Sequence, residues 1–393
     1  LDVKPDPEPE PEPEEPINTK YIEAIYAPNS YMVVPGQSVA IPVLKAYAIW
    51  NIYSNRLKGE DFSSGTLEPV VIWQDTPGLI QSTGLISTNG EDSQMAVATS
   101  NNVGNAVVGI KIGGEIRWSW HIWVTPYQPE KEAYGKTYKY DNDNDGIIDY
   151  EWMDRNMGAL SDGTKATEAD SLAACGLMYQ WGRKDPFPGD VRFRKTNETD
   201  VNYFDSKPIY NAQGILLTEI GKEGGTGVRS IQTDAQEETS SLYRIIQNPM
   251  TIYYSNASYN DWFISAGVNK CDTLWNETKG KTPFDPCPEG WRIPAMKNDN
   301  SPWQGLSNLA TEYSSLGAFP FAGFRYMTVG GCLKNSGWQT TLWLANITIG
   351  YNGMTNGNAY TMGINYTTTG GINIRTKDVS PRSYANSVRC VKE

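Results

Sequence analysis

One histidine, five cysteines and no long apolar run leave this 393-residue chain short of several familiar chemistries. His121 stands alone, so a histidine-based triad has one residue to draw on, and no HExxH or GxSxG string occurs. The cysteines form no CxxC pair and have no histidine partners, which excludes the usual zinc patterns. No 18 consecutive residues are apolar, so no membrane-spanning helix is expected. Clustered Lys and Arg are missing as well. The formal net charge is −12, which argues against nucleic acid or an anionic membrane as partner. The chain starts at Leu1 with neither Met nor leader, as a processed or truncated form would. IGKEGGTG at 220–227 lacks the GK[ST] ending of a phosphate loop and reads as a flexible loop.

What is present is acid, proline, glycine and aromatic rings. Residues 1–20 hold seven acids and two lysines, so −5 of the charge sits there. The PDPEPEPEPEEP run within 1–18 reads as an extended, self-repelling spacer. With 13 Trp and 23 Tyr, aromatics exceed what β-rich cores use, leaving rings for stacking on sugars or proteins. Residues 19–127 read as all-β, with strands expected at Tyr21–Tyr26, Ser38–Leu44, Val70–Gln74 and Met95–Thr99. The clearest unit is NAVVGIKI-GG-EIRWSWHIWV, where Gly113-Gly114 provides the φ > 0 pair of a tight hairpin. Short strands with turn signals between them suggest an immunoglobulin-like sandwich. His121 falls on the far face of the last strand and reads as half-exposed and structural.

TPYQPEKEAYGK at 125–136 reads as a linker, placing a second domain at 128–393. There, helices are expected at Glu168–Gln180, Ser240–Ile246 and Ser301–Leu316, the last with Ser301 as N-cap and Pro302 behind it. Residues 190–235 read as a long loop excursion, and β structure returns from Phe319. The stretch DPCPEGWRIP at 285–294 is a rigid corner, because its prolines fix φ and hold Cys287 in extended geometry. Cys390, close to the last residue, reads as its disulfide partner, joining the start and end of one domain. Cys271 and Cys332 are expected as a second pair, with Cys175 a buried free thiol.

DPCPEGWRIP with the closing SVRCVKE resembles a C-terminal domain of Bacteroidetes surface proteins, related to the Fibrobacter major paralogous domains. WMDRNMGA (152–159), LMYQWGRKDPFPG (177–189) and FAGFRY (321–326) match in the same order. The resemblance covers about 132–393, and SWHIWVTPY (119–127) is similar to the end of a β-domain that often precedes it. It implies a C-type-lectin-like fold carried on fimbrial tip subunits or surface lipoproteins. The fold class expected is therefore α+β, an immunoglobulin-like sandwich followed by a C-type-lectin-like domain. The function expected is that of an exported, non-enzymatic adhesin at the cell surface or outer membrane. Its partners are a glycan or a host or microbial surface protein, and the next fimbrial subunit through the N-terminal β-domain. No residues follow the last strand to be donated, which suggests a terminal subunit. A glycan-processing enzyme on the same fold and a purely structural assembly subunit are the alternatives.

Two candidate sites follow. Asp141, Asp143, Asp145 and Asp149 fit the DxDxDGxxD start of a calcium loop, although its twelfth position is Trp152 rather than Glu. No cofactor is required by the sequence, and calcium is the one optional ion. A solvated Asn-Asp-Gly turn fits the same residues. The calcium–sugar triplets EPN, QPD and WND do not occur. For a ligand surface, the loops between the last strands supply Trp338, Tyr351, Asn352 and Asn356, ring faces and amides suited to sugar hydroxyls, while Trp343 reads as core.

Overall fold

The computed structural model describes residues 19–57, 61–87, 90–165, 167–193, 206–217, 227–233, 241–255, 260–263, 271–275, 280–306, 316–327, 329–349, 355–367 and 369–393. It is mostly β, with 39% strand against 12% helix, so sheets set the architecture and helices fill gaps.

The first half runs α1 (Thr19–Ala24), β1 (Ser30–Val33), β2 (Ser38–Pro42), α2 (Leu44–Ile52), β3 (Leu67–Gln74), β4 (Ile80–Leu85), β5 (Gln94–Thr99), β6 (Gly104–Ile112) and β7 (Glu115–Val124). Two sheets result, ordered β1-β7-β6-β3 and β2-β5-β4. The β6–β7 hairpin turns on Gly113 and Gly114, at φ 66° and 88°, as the two glycines predict. β1 pairs with β7 in parallel, Ser30 opposite His121.

The second half continues with β8 (Thr137–Tyr140), β9 (Tyr150–Met153), α3 (Glu168–Ala174), β10 (Met178–Gln180), β11 (Arg229–Thr233), α4 (Ser241–Gln247), β12 (Thr251–Ser255), β13 (Trp291–Arg292), β14 (Phe324–Arg325), β15 (Leu333–Lys334), β16 (Gln339–Ile349), β17 (Thr355–Tyr366), β18 (Ile372–Pro381), β19 (Ala385–Ser387) and β20 (Val391–Lys392). Its main sheet is β15-β14-β19-β16-β17-β18, with β10 attached to β19. A second sheet, β13-β20-β9-β8, joins the corner, the last strand and the acidic hairpin.

Several expected elements differ. Tyr21–Tyr26 begins as helix α1 rather than a strand, with the side chains of Lys20 and Tyr21 bonded to Glu91. A short apolar run is ambiguous in period. The expected Glu168–Gln180 helix stops at Ala174. Thr167 caps its start, accepting from Asp170 N–H at 3.2 Å, and Gly176 at φ 70° turns the chain out. A side chain at Gly176 would stand 2.3 Å from Met157 O, so the turn requires glycine. Met178–Gln180 then pairs antiparallel with β19. At 301–306 the chain makes turns rather than helix; the Ser301 hydroxyl accepts from Trp303 N–H at 3.2 Å, as a capping residue would, and donates to Thr376 O of β18. Trp303 then stacks on Trp152 at 4.7 Å, and the rest of that expected helix, 307–315, lies outside the described residues.

Both faces of the central hairpin are buried, and the reason is the second half. A single buried cluster takes in Trp118, Trp120 and Ile122 together with Trp181, Leu242, Phe284 and Cys390. Polar groups stitch the same seam. Asn29 Nδ2 donates to Pro283 O and Asp285 O, Ser30 Oγ to Pro286 O, and Asn105 Nδ2 to Gly158 O. Lys184 Nζ donates to Ser119 O at 2.9 Å and to Asp185 at 2.7 Å, a fully buried pair. His121, expected half-exposed, is therefore 1% exposed.

The pieces WGRKD, FAGFRY and SVRC bury their arginines against backbone carbonyls. Arg183 of WGRKD donates to Gln180 Oε1 and to the carbonyls of Thr251 and Pro249. Arg325 of FAGFRY reaches Pro188 O and Gly331 O. Arg389 of SVRC reaches Asn156 Oδ1, Leu316 O and Ala318 O. A guanidinium supplies several donors in one plane, which suits loops that lack ladder partners. Among the described residues no helix is long and apolar enough to cross a membrane.

Candidate functional site

The corner at 285–294 is fixed from three directions. Cys287 and Cys390 are disulfide-bonded with Cα atoms 6.1 Å apart, as expected from the sequence. The Asp285 carboxylate accepts the N–H groups of Cys287 at 2.8 Å and Ile293 at 2.9 Å. Burial raises the Asp285 pKa, and the nearby Lys281 charge works against that rise. Lys281 Nζ donates to the carbonyls of Cys287, Pro288 and Trp291. Every one of these bonds holds backbone, so the corner works as scaffold. Cys175 is a buried free thiol, as expected. Cys332 is also free and buried, so the expected Cys271–Cys332 bond does not form. Cys332 lies just before β15, and the Cys271 side chain lies outside the described residues.

The acidic hairpin between β8 and β9 brings three of its four carboxylates together. One oxygen each from Asp141, Asp143 and Asp149 lies within 4.8 Å of the others, a spacing that could hold one hard cation. Asp145 stands apart, accepting from Ile147 N–H at 2.8 Å. The loop also serves itself as a turn. Asp141 accepts from Gly146 N–H at 2.7 Å, and Asp149 from Asn142 N–H at 3.1 Å. Lys297 Nζ donates to Asp149 O at 2.7 Å and lies 3.3 Å from its carboxylate, so a cation would share that carboxylate with an ammonium. Desolvation and then the charge of Asp145 raise the pKa of Asp143. Ile147 and Ile148, 67% and 51% exposed, form the apolar tip beside the acids.

The expected ligand surface is described only in part. Tyr351 and Asn352 lie outside the described residues; Asn356 lies on β17, with its side chain outside them. Trp338 is half-buried just before β16, edge-on to Tyr366 with centroids 5.7 Å apart. Tyr366 stacks on Phe321 at 4.7 Å and remains 38% exposed. Around these rings stand Asn335, Gln339 and Asn365; Asn335 Nδ2 donates to Gln339 Oε1 at 3.1 Å. Trp343 is fully buried and donates to Tyr179 O, as its strand position predicts. Phe321 and Tyr366 were missed by the sequence reading. Phe321 sits in the FAGFRY piece and Tyr366 closes β17 opposite Ile372, a pairing that no local pattern of the sequence contains.

Compared with known proteins, the chain matches no family model, no curated protein and no solved structure.

Proposed function

We propose that this chain is an exported, non-enzymatic adhesin of the fimbrial-tip or tethered-lipoprotein type. Within this reading the first half is the immunoglobulin-like domain and the second the C-type-lectin-like domain. The observation that carries it is the aromatic end of the long sheet, where Tyr366 is 38% exposed and Trp338 half-buried beside amide side chains. Exposed rings beside amide donors and acceptors are what sugar rings and surface loops are recognised by. The buried disulfide supports export to an oxidising compartment. The next fimbrial subunit is assigned to an open edge strand of the first half.

Beads coated with the protein are expected to adhere to glycan-coated surfaces under flow and to be released by the matching free sugar. Trp338→Ala with Tyr366→Ala is expected to cut adhesion at least tenfold at unchanged melting temperature. Unchanged adhesion in that folded double variant would move the site elsewhere.

The acidic hairpin is assigned weak calcium binding, limited by Lys297. Calorimetric titration with millimolar calcium is expected to show heat that disappears in Asp143→Ala and grows tighter in Lys297→Met. No heat in the unmodified protein would leave the loop as a hydrogen-bonded turn.

A further inference from the structure

We propose that the seam between the two halves docks an extended, proline-rich segment of another protein, one that carries Lys or Arg. The inference stands apart from the sugar reading and concerns a different ligand class. The site is a cavity of about 500 Å³, within the roughly 300–1,000 Å³ of ligand sites. β1 forms one wall, the stretch 127–131 after β7 a second, and the corner at 288–291 the third. A cavity of about 530 Å³ adjoins it, sharing Pro28, Glu289 and Gly290 and reaching Tyr26. Together they exceed one compact ligand and suit several residues of chain.

Unpaired donors decide the ligand. Trp291 is 3% exposed and lines the first cavity, and its indole N–H has no hydrogen-bond partner among the described residues. It is open to the cavity, because the unpaired indoles sealed from solvent are those of Trp152 and Trp303. The Tyr31 hydroxyl, on the same wall, is likewise unpaired and open. The backbone adds a third donor. β1 ends its sheet, and β7 bonds to it where His121 N–H donates to Asn29 O and Thr125 N–H to Val33 O. Bonding alternates along a strand, so Met32 turns its N–H away from β7, and Met32 lines the cavity.

These donors face a cavity completed by Pro28, Pro129 and Pro288, which have no N–H of their own. Such a site suits a chain whose carbonyls are free. A polyproline helix has no internal hydrogen bonds, and its prolines bring no N–H that needs an acceptor. Grooves lined by aromatic and apolar side chains recognise such segments. Charge then selects composition. Glu23, Glu130, Glu289 and Glu393 line the two cavities against Lys131 and Lys281. Lys281 Nζ is spent on three backbone carbonyls, and Glu130 on Lys392 at 3.1 Å. Glu289 is exposed, lines both cavities and makes no salt bridge among the described residues. A Lys or Arg in the segment answers it, whereas the chain's own PDPEPEPEPEEP run is acidic and repelled.

The test is NMR titration of the full chain, labelled with nitrogen-15 at tryptophan only. The probes are the capped peptides PPRPPRPPRP, PPEPPEPPEP, AARAARAARA and PDPEPEPEPEEP. The Trp291 indole signal, identified by its loss in Trp291→Phe, is expected to shift with PPRPPRPPRP, with a dissociation constant of about 100 μM. Both acidic peptides are expected to bind at least tenfold more weakly for their charge. The alanine peptide is expected to do so because an unconstrained chain must be ordered on binding. Tyr31→Phe removes only the open hydroxyl, so it is expected to melt unchanged and bind PPRPPRPPRP at least threefold more weakly. Glu289→Lys, at an exposed site, is expected to reverse the preference between the arginine and glutamate peptides. The proposal is overturned if PPRPPRPPRP leaves the Trp291 signal unmoved at millimolar concentration. It is overturned equally if the acidic or alanine peptides bind within twofold of PPRPPRPPRP, or if both variants bind as the unmodified protein does. Trp338→Ala with Tyr366→Ala is expected to leave peptide binding intact, and its loss there would place the peptide elsewhere and overturn the groove.

Discussion

Replacing Cys287 and Cys390 together by Ala is expected to lower the unfolding free energy by about 4–5 kcal/mol, the chain-entropy value for a loop of this length. The two residues are 103 positions apart, so the bond restrains nearly all of the long sheet and the corner in the unfolded chain. Native geometry is expected to survive, because Asp285 and Lys281 hold the corner backbone without the sulfurs. The fall should therefore appear in the urea midpoint while the near-ultraviolet spectrum stays native. A loss under about 1 kcal/mol would mean that the unfolded chain is already restrained, against the entropic account.

The second large effect concerns His121. Its Nδ1 faces Ser30 Oγ at 3.2 Å and its Nε2 faces Asn105 Oδ1 at 3.0 Å. Burial pushes its pKa down to about 3, so the folded protein keeps the ring neutral. Unfolded, the ring takes a proton at about pH 6.5. As pH falls between these values the unfolded state binds a proton that the native state refuses, so stability falls with acid. The expected loss is about 1.4 kcal/mol per pH unit below 6.5, or roughly 3 kcal/mol by pH 4. Asp285 and Asp261, whose pKa values burial raises, respond in the opposite sense, so the histidine is isolated by difference. Chemical unfolding of the native protein and of His121→Gln at pH 7 and pH 4 measures it. The variant should lose about 3 kcal/mol less on acidification, and equal losses would contradict the assignment.

How legible all this was depends on which contacts set each feature. The β6–β7 hairpin and the disulfide corner follow from local chemistry, glycines at positive φ and prolines around a cysteine, and the structure keeps them. The faces of β7 were not legible, because alternation predicts one wet face and the second half covers it. Helix α2 was missed, although Tyr47, Trp50, Asn51 and Ser54 recur at helical spacing, because the neighbouring strand pattern of Ser38–Leu44 ran into it. Ser301 does accept from Trp303 N–H as its N-cap reading implies, and its hydroxyl also donates to Thr376 O, a partner 75 residues away that no local rule contains. Of the acidic hairpin, the spacing foretold the convergence of Asp141, Asp143 and Asp149, but not the intrusion of Lys297 from 148 residues away. The buried arginines were visible in the sequence only as letters of the quoted pieces. Their reason, carbonyls of distant loops, is three-dimensional.

The central claim is that this chain recognises carbohydrate, and a glycan array probed with the purified, disulfide-intact protein tests it most directly. The expected result is binding to a small set of glycans that share a terminal residue, competed by the free sugar and reduced by Trp338→Ala with Tyr366→Ala. Absence of binding to every glycan by a folded protein, at concentrations that reach millimolar affinities through multivalent display, would contradict it.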